Sequence, residues 1–193
     1  SRGDNWRHHW DDETGFVRGR MRSGSWVEPF DPADMSDAND FVEASSWIFS
    51  FFVPHDVPGL IDAHGGPEAF VAKLDAFFDD GHFDASNQPS FHIPWLYAHA
   101  GRPDLTRARV RAVIDGEYGT GPGGLPGNDD AGSTSAWLVF AALGLSPVTP
   151  GDPVYTLAAP RFDRAEIFFD GACYSGESFV IEAPGAAGFG DRP

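Results

Sequence analysis

The chain is poor in cysteine and in positive charge, and it has no long apolar run. Cys173 is the only cysteine among 193 residues, so an intrachain disulfide cannot form and four-cysteine zinc frameworks are excluded. The 13 Lys+Arg stand against 29 Asp+Glu, a formal net charge of −16. A surface of that sign repels nucleic acid and anionic membranes. The longest apolar stretches, Trp47-Ile48-Phe49 and Phe51-Phe52-Val53, fall far short of the ~20 residues that cross a bilayer, so no membrane span is expected. Ser1-Arg2-Gly3-Asp4-Asn5-Trp6 lacks the basic start and apolar stretch of a signal peptide. None of Asn5, Asn39, Asn87 and Asn128 lies in an Asn-x-Ser/Thr acceptor. What is abundant is apolar mass: 41% hydrophobic residues, 14% aromatic, with six Trp and 17 Phe. That composition requires a packed core, and the length suits about one domain.

Gly and Pro punctuate the chain into short elements. Residues 1–32 are expected to be ordered loop, with a short extended pair around Phe16-Val17 and Trp26-Val27. A helix-start signal at Ser36-Asp37 predicts a nearly all-apolar, buried helix through Phe41, Trp47, Ile48 and Phe52, stopping at Pro54. Pro67 opens an amphipathic helix in which Phe70, Val71, Leu74, Phe77 and Phe78 recur at helical spacing. Pro94 opens a helix to about Ala100, and Pro103 opens another ending at Gly116. Ser133 or Thr134 can cap a helix closed by Gly144. Between 153 and 182 the runs Val154-Tyr155-Thr156-Leu157, Ile167-Phe168-Phe169 and Ser178-Phe179-Val180-Ile181 predict short strands parted by Asp170-Gly171 and Ser175-Gly176. The fold class is therefore mainly α over residues 1–150, with a short β-rich C-terminal extension over 151–193.

Three polar segments interrupt this pattern. Glu43 falls within the expected apolar helix, where burial would keep a carboxylic acid protonated and fit for general-acid work; the ordinary alternative is an exposed Glu at a helix start. Asn87-Gln88-Pro89-Ser90-Phe91-His92 offers amide and hydroxyl oxygens that suit a hard cation such as calcium better than zinc, although a turn plus N-cap with a packed His92 is the ordinary reading of such a segment. Gly127-Asn128-Asp129-Asp130-Ala131-Gly132-Ser133 places carboxylates before a helix N-terminus, which keeps them ionised as a base or cation ligand must be. A capped turn is the simpler alternative, and the EF-hand spacing is missing. An acid kept neutral and a base kept ionised is the layout of an inverting glycoside hydrolase; spacing alone does not separate this from a sugar-binding module.

Longer motifs go further. Asp11-Asp12-Glu13-Thr14-Gly15-Phe16-Val17-Arg18-Gly19-Arg20, Gly24-Ser25-Trp26, Pro29-Phe30-Asp31-Pro32, Val53-Pro54-His55-Asp56-Val57-Pro58-Gly59-Leu60, Asn87-Gln88-Pro89-Ser90-Phe91-His92-Ile93-Pro94-Trp95-Leu96-Tyr97, Gly124-Leu125-Pro126-Gly127-Asn128-Asp129-Asp130 and Ser135-Ala136-Trp137 follow one another in an order that resembles glycoside hydrolase family 92, the calcium-dependent exo-acting α-mannosidases. The resemblance implies part of an (α/α)6 barrel, accompanied elsewhere by a β-sandwich domain, that hydrolyses terminal α-mannosides with inversion. By motif position Glu43 would be the general acid and Asp130 the base that activates water, with Asn128 and Asp129 supporting that base and its water. His55, Asp56, His92 and Asp129 would line the sugar pocket, and Asn87, Gln88 and Asp130 would hold Ca2+. The partners implied are mannose-containing glycans and the remainder of the enzyme, and the implied location is secreted or periplasmic.

Two positions depart from the family pattern: Glu43 is followed by Ala44 rather than Gly, and Gln88 stands where Glu is common, which weakens a calcium site unless another carboxylate compensates. The chain is also much shorter than family members, which run to several hundred residues. Such a piece is expected to expose apolar faces and to have little activity alone. A non-catalytic carbohydrate-binding module, with Trp95, Tyr97 and Trp137 stacking on sugars, is the competing function; a purely structural helical segment is a third.

Overall fold

The computed structural model describes residues 2–186; the end of the expected 151–193 extension lies outside them. Proline and glycine set most helix limits as expected. Helix α3 (Pro67–Asp79) starts at its proline, and α5 (Pro103–Glu117) does the same and ends one residue beyond Gly116. Helix α6 (Ser133–Leu143) lies between two left-handed glycines, Gly132 and Gly144, a backbone state in which glycine has no Cβ penalty. A 3-10 turn over Ile93–Trp95 feeds α4 (Leu96–His99).

Two expectations change. The predicted helix from Ser36 to Phe52 contracts to one turn, α1 (Ser46–Phe49), and the chain before it is a series of turns and bends. Asn39 holds those bends: its amide donates to the carbonyls of Asp34 (2.7 Å) and Ala44 (2.9 Å), and its oxygen accepts from the Phe41 amide (2.7 Å). These side-chain bonds give the backbone partners that helix would otherwise supply. Conversely, Asp56 caps an unforeseen helix, α2 (Val57–Ala63), by accepting from the Gly59 amide at 3.0 Å. The N-terminal segment, expected to be loop, contains a 3-10 helix over Arg2–His8 and the ladder of β1 (Trp10–Asp11) with β2 (Phe16–Val17); Trp26 bridges to Arg20.

Phe51, Leu60, Phe70, Leu74, Phe77, Trp95, Leu96 and Tyr97 form the centre of one core with Val110 and Ile114, contributed by the turn after α1, by α2 to α5 and by the 3-10 turn before α4. Each such side chain contributes roughly 1.5–3 kcal/mol by burial. Two serines one helical turn apart dock the N-terminal ladder on it: Ser46 donates to the Val17 carbonyl (2.5 Å) and Ser50 accepts from its amide (2.8 Å). Trp137 ties α6 to the core segment by donating to the Phe91 carbonyl at 2.7 Å.

Past α6 the chain forms two antiparallel pairs: β3 (Leu145–Ser146) with β4 (Thr156–Leu157), and β5 (Arg164–Phe168) with β6 (Ser178–Glu182). The first pair joins residues on both sides of position 150. Helices dominate, and among the described residues none is long and apolar enough to cross a membrane.

Candidate active site

The loop before α6 is clipped to the helix start. Asp129 accepts from the Ser135 amide (2.7 Å) and hydroxyl (3.0 Å), while Thr134 donates to the Asn128 carbonyl at 2.9 Å. Asp129 thus satisfies the third amide of α6, whose N-cap residue is Gly132 rather than the expected Ser133 or Thr134, and Asn128 and Asp130 are left exposed. The loop lies directly against residues 84–88. A Cβ on Gly127 would stand 2.7 Å from Ser86 Cβ and 2.9 Å from its carbonyl oxygen, so only glycine permits this approach.

Glu43 meets the same junction from the third side. It is exposed and sits on a bend, which overturns the expectation of an acid buried on an apolar helix. Glu43, Asn87, Asn128 and Asp130, with Ser86, Pro126 and Gly127, line one open, polar hollow of about 480 Å3. Among the described residues only Glu43 (φ 57°), Asp130 (φ 46°) and Ala131 (φ 58°) are non-glycine residues with left-handed backbones. Such conformations cost of order 1–3 kcal/mol each and gather at functional sites. Here two of the three fall on the candidate catalytic carboxylates.

Asn87 donates to the Glu43 carbonyl (3.0 Å) and carboxylate (3.4 Å), and Gln88 donates to the Asp130 carboxylate and to the Ser133 hydroxyl (3.0 Å). The oxygens of Asn87, Gln88 and Asp130 are hard-cation donors. Among the described residues no group of three or more His, Cys, Asp or Glu side chains could hold a metal.

The remaining predicted site residues lie outside that hollow. His55 contacts the Gly3 carbonyl through Nε2 (2.8 Å), and Asp56 caps α2 and pairs with Arg7 at 3.3 Å. His92 is buried, with Nε2 2.7 Å from the Phe51 carbonyl, and burial lowers its pKa to about 4. Sequence reasoning missed Ser86 and Gly127 as walls of the hollow and Asn39 as the brace of the Glu43 bend. Only the Gly-Asn dipeptide at 127–128, a turn signal, hinted at any of them.

Two loop carboxylates facing one polar hollow on a helical scaffold are the equipment of acid–base hydrolytic enzymes. The chain belongs to the glycosyl hydrolase family 92 catalytic domain, whose model matches residues 1–190. A protein of Arthroderma benhamiae named an uncharacterized secreted glycosidase is 36% identical over 162 residues, 79% of this chain and 21% of its own length. A Bacteroides thetaiotaomicron family GH92 α-mannosidase in complex with mannoimidazole superposes with a TM-score of 0.83 at 28% identity, covering 92% of this chain and 26% of that one. A second structure from that organism, a family GH92 inverting mannosidase, gives 0.81 at 32% identity over 93% of this chain and 27% of its own. The chain therefore spans about a fifth of the curated relative and about a quarter of these structures.

Proposed function

We propose that this chain supplies the carboxylate pair of an enzyme that hydrolyses terminal α-mannosidic linkages in glycans with inversion of configuration. The observation that carries the reading is the convergence of Glu43 and Asp130, each on a left-handed backbone, on one polar hollow. Glu43 donates its proton to the departing glycosidic oxygen, and Asp130, with Asn128 beside it, takes a proton from the attacking water on the opposite face of the sugar. Exposure of both carboxylates in this piece fits a site walled further by the rest of the enzyme. That remainder is proposed to complete an (α/α)6 barrel and to bring a β-sandwich domain. The secreted relative favours a secreted or periplasmic location.

Calcium is proposed as the cofactor, with Asn87, Gln88 and Asp130 as its protein ligands; when bound it would hold sugar hydroxyls in place. The competing sugar-binding module loses its platform, because Trp95, Tyr97 and Trp137 are all buried.

In the full-length enzyme Glu43→Gln is expected to lower kcat by about 10²–10⁴-fold on α-mannosides with poor leaving groups, the usual worth of a general acid, and to spare activated aryl mannosides. Unchanged turnover on poor leaving groups would refute the assignment. Chelation should abolish activity, and calcium but not zinc should restore it.

A further inference from the structure

We propose that the adjacent residues Asn87 and Gln88 are paired positioning residues, Asn87 for the Glu43 carboxylate and Gln88 for that of Asp130, so that one short segment sets the spacing between acid and base. The proposal rests on the function proposed above for Glu43 and Asp130.

Asn87 is extended (φ −135°, ψ 140°), and an extended backbone sends successive side chains to opposite sides. Asn87 accordingly reaches Glu43, and Gln88 reaches Asp130 and Ser133. The amide orientations follow from chemistry. The Glu43 carbonyl can only accept, so it faces Asn87 Nδ2; the Gln88 backbone N–H can only donate, so it faces Asn87 Oδ1, at 3.0 Å. A carboxylate likewise requires the nitrogen end of Gln88, whose second contact, the Ser133 hydroxyl, fixes that end at the start of α6.

The segment itself is rigid. Pro89 lies in a 3-10 turn, Ser90 is fully buried, and the Phe91 carbonyl takes the Trp137 indole N–H. Asn87 also holds the carbonyl of Glu43 where the backbone is left-handed. Both amide nitrogens are thus committed to holding carboxylates, which leaves any cation only their oxygens.

The test uses the full-length enzyme and aryl α-mannosides graded from poor to good leaving groups. Asn87→Asp keeps the shape and every oxygen but turns the donor facing Glu43 into an acceptor. It is expected to lower kcat by about 10²-fold on poor leaving groups, to leave dinitrophenyl mannoside nearly untouched, to leave KM where it was and, because a carboxylate is at least as good a calcium ligand as the amide, to leave half-saturating calcium no higher than before. Asn87→Ser, which keeps a shorter donor, should recover part of the loss. Gln88→Met, assayed at saturating calcium because it also removes a proposed calcium ligand, should lower kcat on all leaving groups alike.

A uniform loss in Asn87→Asp, no loss, or a loss expressed only as weaker calcium binding or raised KM would overturn the positioning role. If Glu43→Gln shows the leaving-group signature and Asn87→Asp does not, this inference fails alone. If Glu43→Gln itself loses rate uniformly, the acid assignment fails with it.

Discussion

His92 and His64 illustrate how burial decides a residue's use. His92 Nε2 lies against the Phe51 carbonyl and must carry the proton there; His64 Nδ1 lies 2.9 Å from the Leu60 carbonyl, and its Nε2 is buried without a hydrogen-bond partner among the described residues. Desolvation lowers both from 6.5 to about 4, against the opposing pull of those carbonyls. Their folded pKa values are thus below the unfolded ones. The stability they contribute is fully present above about pH 6.5 and declines as pH falls toward about 4, because the unfolded chain takes up two protons that the folded one refuses.

Each proton is worth at most ~1.4 kcal/mol per pH unit. Unfolding free energy from urea titration is therefore expected to drop between pH 6.5 and 5 by up to about 2–4 kcal/mol. Asp11, held below the ordinary carboxylate range where its bonds to Arg18, Thr14 and the Glu13 amide outweigh desolvation, loses its contribution only at lower pH. A flat profile between pH 6.5 and 5 would contradict this account of the two histidines. The sequence left His92 open between packed histidine and pocket wall. Its position is settled by contact with Phe51, 41 residues away in the chain, which no local pattern encodes.

At the scale of elements, the legible parts were those with local punctuation. α3 and α5 begin at prolines and α6 ends at a glycine, so periodicity and caps were enough. The hairpin of β5 and β6 followed from two β-rich runs around Asp170-Gly171 and Ser175-Gly176. What misled was the apolar run around Glu43. Its composition favours a buried helix, yet the side-chain bonds of Asn39 fold the preceding residues into bends and leave Glu43 exposed. A helix there would not place Glu43 on the left-handed backbone whose carbonyl Asn87 holds.

The opposing loop depends on Gly127 in the same way. Gly127→Ala places a methyl against the Ser86 backbone, which cannot yield as a flexible side chain would, and the loops carrying Asn87 and Asp130 must part. A displacement of about 1 Å is enough to lower kcat by roughly 10²-fold, with the melting temperature little changed because Gly127 lies outside the core. Wild-type kcat in Gly127→Ala would show that the close approach is not needed.

For the whole molecule, the core built by α2 to α5 is one apolar body, but large side chains remain uncovered around it. Val139 and Phe140 on α6, Tyr155, Leu157 and Phe162 beyond it, and Phe168 on β5 are all exposed. Exposed apolar faces of this kind mark contact surfaces, and the chain spans only part of the length of its relatives. In the proposed function the chemistry rests on residues present here, Glu43 as proton donor, Asp130 as base and the amides of Asn87 and Gln88 between them.

Inversion is the consequence most specific to two carboxylates with water between them, and it is read directly by proton NMR of the sugar in the first minutes after full-length enzyme meets an aryl α-mannoside. Release of β-mannose, with the α-anomer growing only at the rate of mutarotation, is the expected result. Initial release of α-mannose would contradict the account, because it requires one of these carboxylates to attack the sugar itself.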